Sequence, residues 1–305
     1  MEYLHRCIQG LEVQPKFSYH PRCKKLNITN VSFADDILLF TRGDTTSVQI
    51  LMKKIENFSM ATGLKAHPEK CHIYFWGVPS HIQMEILKNT GFTEGALPFK
   101  YLGIPLDSKK LYSHHFRPIM DKLVVKIKHW ITRLLSYAGR RQLINSTLFA
   151  ITAYWMQIFT FPKIVVKQIE MICGNFLWCG MNGVSKKAPI AWENLCKPVF
   201  AGGLNIVSLH VWNKATIGKL LWNIHIKEDK LWKRWLDTYF LKKQDIVLWL
   251  PRNNISWTVR KFLKARDIIK AIDSWNDDIT HGKYKTAAKP FRRIRTGCLE
   301  ENPLQ

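Results

Sequence analysis

The chain has 305 residues, 47% hydrophobic and 23% charged, with a formal net charge of +23 and a pI near 9.8. This is a globular composition with chain enough for about two domains, and the cationic excess points to polyanionic partners, either nucleic acid or an anionic membrane face. The most apolar stretches, such as 148–161, fall short of the roughly 20 residues a spanning helix needs, and residues 1–6 lack the apolar core of a secretory signal. A nuclear or cytoplasmic, non-secreted protein is therefore expected. Seven cysteines and 11 histidines are scattered without the close pairs of zinc or redox motifs, which implies reduced thiols and gives no reason to assign any of them to a metal.

Residues 1–10 read as a short helix. Leu26, Asn27, Ile28 and Thr29 alternate apolar and polar residues, which predicts a strand, and 37–40 supplies its partner. They flank and enter the stretch Val31-Ser32-Phe33-Ala34-Asp35-Asp36-Ile37-Leu38-Leu39-Phe40, where two adjacent carboxylates interrupt two apolar runs. Runs of this kind read as buried strands, and Asp is depleted in strands, so a tight hairpin with Asp35 and Asp36 at its turn is expected. Two such anions are either an ordinary solvated turn or a site for a hard divalent ion such as Mg²⁺, which is held by one or two carboxylates plus substrate phosphates.

Helical spacing follows. Val48, Leu51, Met52, Ile55 and Phe58 share a face, Asp44 can cap the N-terminus, and Gly63 fits the C-terminal stop. A strand is expected over 71–76. Ser80-His81-Ile82-Gln83 has the capping-box form, predicting a helix to Asn89 closed by Gly91, and 99–104 reads as a further strand or hairpin.

From about residue 111 the pattern is helical. Ile119, Leu123, Ile127, Trp130 and Leu134 recur at helix spacing, with Lys122, Lys126, His129 and Arg133 along an adjacent face. That basic stripe is either a solvated face or a phosphate-tracking surface. Helices are also expected over 140–158, ended at Phe161-Pro162, and over 165–178. Gly and Pro break up 180–203, which reads as a linker or exposed loop. Helices over 211–226 and 230–240 carry Trp212, Trp222, Trp232 and Trp235, read as core residues rather than base-stacking groups. The polar, basic tail after Ile272 is expected to be disordered.

Taken in order, the Phe33-Ala34-Asp35-Asp36 tetrad, the amphipathic helix, Gly63-Leu64-Lys65-Ala66-His67-Pro68-Glu69-Lys70, and Phe99-Lys100-Tyr101-Leu102-Gly103-Ile104-Pro105-Leu106 before a basic helical region resemble the palm and thumb of reverse transcriptases. The resemblance is to the LINE-type, non-LTR retrotransposon enzymes of plants. It implies an α+β fold: a partial polymerase palm of antiparallel strands and packed helices over 1–110, a helical thumb over 111–180, a Trp-rich helical connector over 181–271, and the basic tail over 272–305. It further implies Asp35 and Asp36 as Mg²⁺ ligands in two-metal nucleotidyl transfer. Lys70, or Lys65 as fallback, would lie near the incoming phosphates, and Phe99, Tyr101, Leu102 and Gly103 would form a primer grip. Lys122, Lys126, His129 and Arg133 would face the nucleic acid, and the partners would be an RNA template and DNA primer or an RNA–DNA duplex. The third carboxylate of such a site comes from an earlier strand, and residues 1–34 contain no Asp. A catalytically incomplete fragment is expected, with a non-catalytic basic nucleic-acid-binding module as the alternative.

Overall fold

The computed structural model describes residues 2–11, 14–107, 111–131, 135–179, 188–225, 230–246, 248–250, 259, 260, 262, 263, 266 and 267. They divide into two compact units, Met1–Lys109 with Arg234–Lys243, and Lys110–Lys233 with Gln244–Gln305. The class is α+β, with helices predominant and three small two-stranded sheets. Leu134 and the tail after Ile272 lie outside the described residues.

In the first unit, α1 (Glu2–Gln9) and α2 (Thr45–Thr62) build the core. Leu4, Ile8 and Leu11 meet Leu51 and Phe58, with Phe17 beside them and Leu39 packed against the cluster. The limits of α2 follow from local chemistry. The Asp44 carboxylate accepts the Ser47 N–H at 2.8 Å, and Gly63 closes the helix in the left-handed region at φ 73°, where only glycine avoids a Cβ penalty. Ser47 is fully buried because its hydroxyl also accepts the Ser18 N–H at 2.9 Å, tying the loop before the sheet to the helix.

Three sheets follow in order. The first is β1 (Asn30–Phe33) against β2 (Asp36–Leu39), antiparallel. The second is β3 (His72–Ile73) against β4 (Thr93–Glu94), parallel, with α3 (Ser80–Thr90) between them in sequence. The third is β5 (Phe99–Tyr101) against β6 (Ile104–Leu106), an antiparallel hairpin.

Local expectations shift in three places. The strand expected from Leu26 starts at Asn30, because Lys24–Leu26 forms a 3-10 turn and Asn27 is left-handed at φ 50°. The strand expected over 71–76 pairs only at His72–Ile73. Helix α3 is capped by Pro79 rather than by a Ser80 capping box, and the Gln83 amide donates to the Val78 carbonyl at 2.7 Å. Gly91 closes α3 as its position predicts.

The second unit is helical: α4 (Arg117–Ile131), α5 (Tyr137–Leu143), α6 (Phe149–Met156), α7 (Lys163–Cys179), α8 (Trp192–Leu195) and α9 (Leu209–His225). A π turn, Ile144–Leu148, joins α5 to α6. Phe116 sits among Trp155, Phe159 and Phe161, Trp130 meets Phe176, and Phe149 meets Trp212 edge-on. Helix α10 (Leu231–Leu236) begins in this unit, where its Trp232 stacks on Phe262. Trp212 and Trp232 thus pack against other aromatic rings.

Glu170 on α7 is half-buried, and its carboxyl is pushed up to about 7 by burial, with the Glu193 charge adding and Lys167 opposing. Burial and Glu170 push the Cys173 thiol up to about 12, and Cys196 is raised likewise by burial, Glu170 and Glu193, so both thiols are neutral. A carboxyl raised in the fold holds its proton where the unfolded chain has released it, so stability declines as pH rises from about 4.5 to about 7. Thermal melts across that window should show a falling midpoint, and Glu170→Gln should flatten the profile. An unchanged slope in that variant would assign the pH dependence elsewhere.

Candidate functional site

The hairpin β1–β2 is anchored at its base and open at its tip. At the base, the Phe40 N–H donates to the Thr29 carbonyl at 2.7 Å and Leu39 packs on the core. Burial then falls along both strands towards the turn, where Phe33 is 61% exposed. The apolar runs are therefore not fully buried strands, since this sheet has only two strands. Exposure is also what lets two carboxylates stand at the turn without a desolvation cost.

The register is Phe33 opposite Asp36, which leaves Ala34 and Asp35 as a two-residue turn. Ala34 takes φ 51°, a left-handed conformation that costs a non-glycine residue energy and occurs disproportionately at functional sites. Asp36 opens β2 on the same sheet face as its cross-strand partner Phe33, while Asp35 belongs to the turn itself. Both carboxylates are exposed, and among the described residues neither has a hydrogen-bond or ion-pair partner.

The second hairpin comes close to Asp36. Tyr101 on β5 is partly buried, and its phenol is held above its ordinary value first by that burial and then by the Asp36 charge. The β5–β6 turn is Leu102-Gly103, at φ 51° and 77°, the paired positive values of a tight hairpin. Phe99, at the other end of β5, stacks on Tyr74 at 4.4 Å between centroids. Tyr74 is not among the candidate residues of the sequence, although its place in the apolar and aromatic run 73–76 is a usable signal.

Lys70 ends the 3-10 turn Pro68–Lys70, and with Lys65 it lies in the exposed stretch 61–70. No hydrogen bond or ion pair joins either lysine to the Asp hairpin among the described residues. In the second unit, Lys122, Lys126 and His129 are exposed on α4, on a face adjacent to the buried Ile119, Leu123 and Ile127. Arg133 lies outside the described residues.

Two adjacent, unpaired carboxylates form a hard oxygen donor set that suits one Mg²⁺ sharing its shell with phosphate oxygens and water. Among the described residues no group of three His, Cys, Asp or Glu side chains forms a metal cluster. No helix among them is long and apolar enough to cross a membrane.

Comparison with known proteins bears on the same region. A putative ribonuclease H protein of Arabidopsis thaliana is 24% identical over 175 residues, covering 56% of this chain and 28% of that protein. The chain thus spans well under half the length of that relative. Residues 3–106, which contain the Asp hairpin, α2, Lys70 and the β5–β6 hairpin, match the family described as reverse transcriptase (RNA-dependent DNA polymerase), so the N-terminal region of the chain is a reverse transcriptase domain.

Proposed function

We propose that the chain is part of an RNA-directed DNA polymerase of the LINE, non-LTR retrotransposon type, acting on an RNA template and DNA primer or on an RNA–DNA duplex. In this reading 1–110 is a partial palm, 111–180 a helical thumb and 181–271 a connector. One observation carries it: inside the matched region, a two-residue turn leaves Asp35 and Asp36 exposed and unpaired beside Tyr101 of the second hairpin.

Asp35, in the turn, is the direct ligand, and Asp36 is a second ligand or an electrostatic support. Asp35 and Asp36 would hold magnesium here, which would supply activation of the primer 3′-hydroxyl and neutralisation of phosphate charge in two-metal nucleotidyl transfer. Lys70 offsets charge on the leaving phosphates. Phe99, Tyr101, Leu102 and Gly103 position the primer end, with Phe99 held by its stack on Tyr74. Lys122, Lys126 and His129 follow the backbone phosphates along α4, and Arg133, outside the described residues, is assigned to the same nucleic-acid contact.

Binding of an RNA–DNA duplex to the 305-residue chain at rising salt tests the reading, because phosphate contacts release counterions and give a steep negative slope. Lys122→Ala and Lys126→Ala should each reduce that slope by about one. A flat response would sink the proposal. A second reading, a basic binding module without catalysis, shares the salt dependence but needs no divalent ion at the hairpin; the cationic face of α4 supports it equally.

A further inference from the structure

Phe200 is 93% exposed and its neighbour Val199 is 63% exposed, yet the turn that carries them is among the most tightly tied segments of the second unit. Three hydrogen bonds close it: Ala201 and Gly203 N–H to the Pro198 carbonyl, and Gly202 N–H to the Val199 carbonyl, each at 3.0 Å. Below it, Leu204 N–H reaches the Leu195 carbonyl and Asn205 N–H the Lys197 carbonyl, both at 2.9 Å. From the π turn, Asn145 then clasps the outgoing segment, donating to the Asn205 carbonyl and accepting the Val207 N–H, both at 3.1 Å. Buried Leu195, Ile206 and Leu209 anchor its base.

The two glycines serve that shape for separate reasons. Gly202 takes φ 77°, and a Cβ on buried Gly203 would collide with the Lys197 carbonyl. A single exposed apolar residue needs no explanation. An adjacent apolar pair at the apex of a preorganised turn is different, because the ordering cost of a binding surface has already been met in the free protein.

An exposure of 93% leaves both faces of the Phe200 ring open, which is what stacking on an unpaired base requires. Charge fits a polyanion: the exposed Lys197 leads directly into the turn, on a chain whose formal net charge is +23. Resting on the nucleic-acid reading above, we propose that the Pro198–Gly203 turn is a second nucleic-acid contact, at which Phe200 stacks on a base of single-stranded RNA or DNA while Lys197 faces the adjoining phosphate.

The test measures affinity of the full chain for a labelled single strand and for an RNA–DNA duplex across a salt series. Phe200→Ala should weaken single-strand binding about tenfold, the scale of one lost stack, at every salt concentration and without changing the slope, because stacking releases no counterions. Phe200→Trp should retain affinity and Phe200→Leu should not, which separates a stack from generic apolar contact. With 2-aminopurine in the strand, quenching on binding should be lost in Phe200→Ala. The side chain is solvent-exposed, so an unchanged thermal midpoint will show that the fold is intact. Equal affinity of wild type, Phe200→Ala and Phe200→Leu would overturn the proposal, leaving the duplex reading in place. A wild type that binds no nucleic acid would overturn both.

Discussion

Asp35→Asn should remove divalent-ion-directed chemistry from the hairpin while leaving the fold untouched. With Fe²⁺ in place of Mg²⁺ and peroxide present, radicals form at the ion and cut the nearest backbone. In the wild-type chain bound to RNA–DNA duplex and nucleotide, cleavage is expected around 33–38 and around 99–103, where Tyr101 feels the Asp36 charge. Excess Mg²⁺ should suppress it. An amide replaces a charged hard oxygen ligand with a neutral one and halves the negative charge of the donor set, so cleavage should fall by at least the roughly 10–100-fold that follows loss of even a supporting ligand contact. Asp36→Asn should give a smaller fall if Asp36 acts as electrostatic support and an equal one if it is a ligand. Both carboxylates are exposed and make no hydrogen bond among the described residues, so neither variant should shift the melting midpoint. Cleavage that persists in the doubly substituted chain would refute a metal site at this turn and favour the binding module.

How much of this was legible in the sequence depended on how local its cause was. The bounds of α2 were readable because Asp44 and Gly63 act on their own helix ends, and the hairpin turn because two Asp residues interrupt apolar runs. The α+β class followed from the same pattern. Ile28 and Thr29 misled because alternation carries no information about the left-handed Asn27 before them. Gly202 and Gly203 read as a loop breaker, although the structure uses them to build a tight turn over buried Leu195 and Ile206.

Least legible were contacts between distant segments. In the first unit, the Trp235 indole N–H donates to the Arg22 carbonyl at 2.9 Å and the Tyr239 hydroxyl accepts the Lys25 N–H at 3.1 Å. No periodicity near Trp235 or Tyr239 signals partners more than 200 residues away. The site was divided in the same way. Asp35 and Asp36 announce themselves as charges in an apolar context, whereas the influence of Asp36 on Tyr101 exists only once both hairpins are folded.

Asn213→Leu should be among the most destabilising single substitutions in the second unit, at about 3–5 kcal/mol, from two orphaned backbone groups at about 1–3 kcal/mol each. Asn213 is 4% exposed on α9. Its amide donates to the Met156 and Phe159 carbonyls, each at 2.8 Å, and its carbonyl accepts the Phe161 N–H at 2.9 Å. It thereby satisfies the end of α6 and the turn leading to Pro162, groups that a helix terminus otherwise leaves open. Leucine has similar volume and no polar atom, so the Phe159 carbonyl and Phe161 N–H lose their partner while packing is conserved. Met156 keeps the Thr216 hydroxyl at 3.0 Å, so Thr216→Val alone should cost only about 1 kcal/mol. The double variant should cost more than the sum, because Met156 then loses both donors. Phe161 packs on Phe116 at 4.8 Å, so the loosened turn should also raise amide exchange over 156–161 and around Phe116. A loss below about 1 kcal/mol, with exchange at 156–161 unchanged, would mean that water replaces the amide and that the turn is held by its aromatic packing instead.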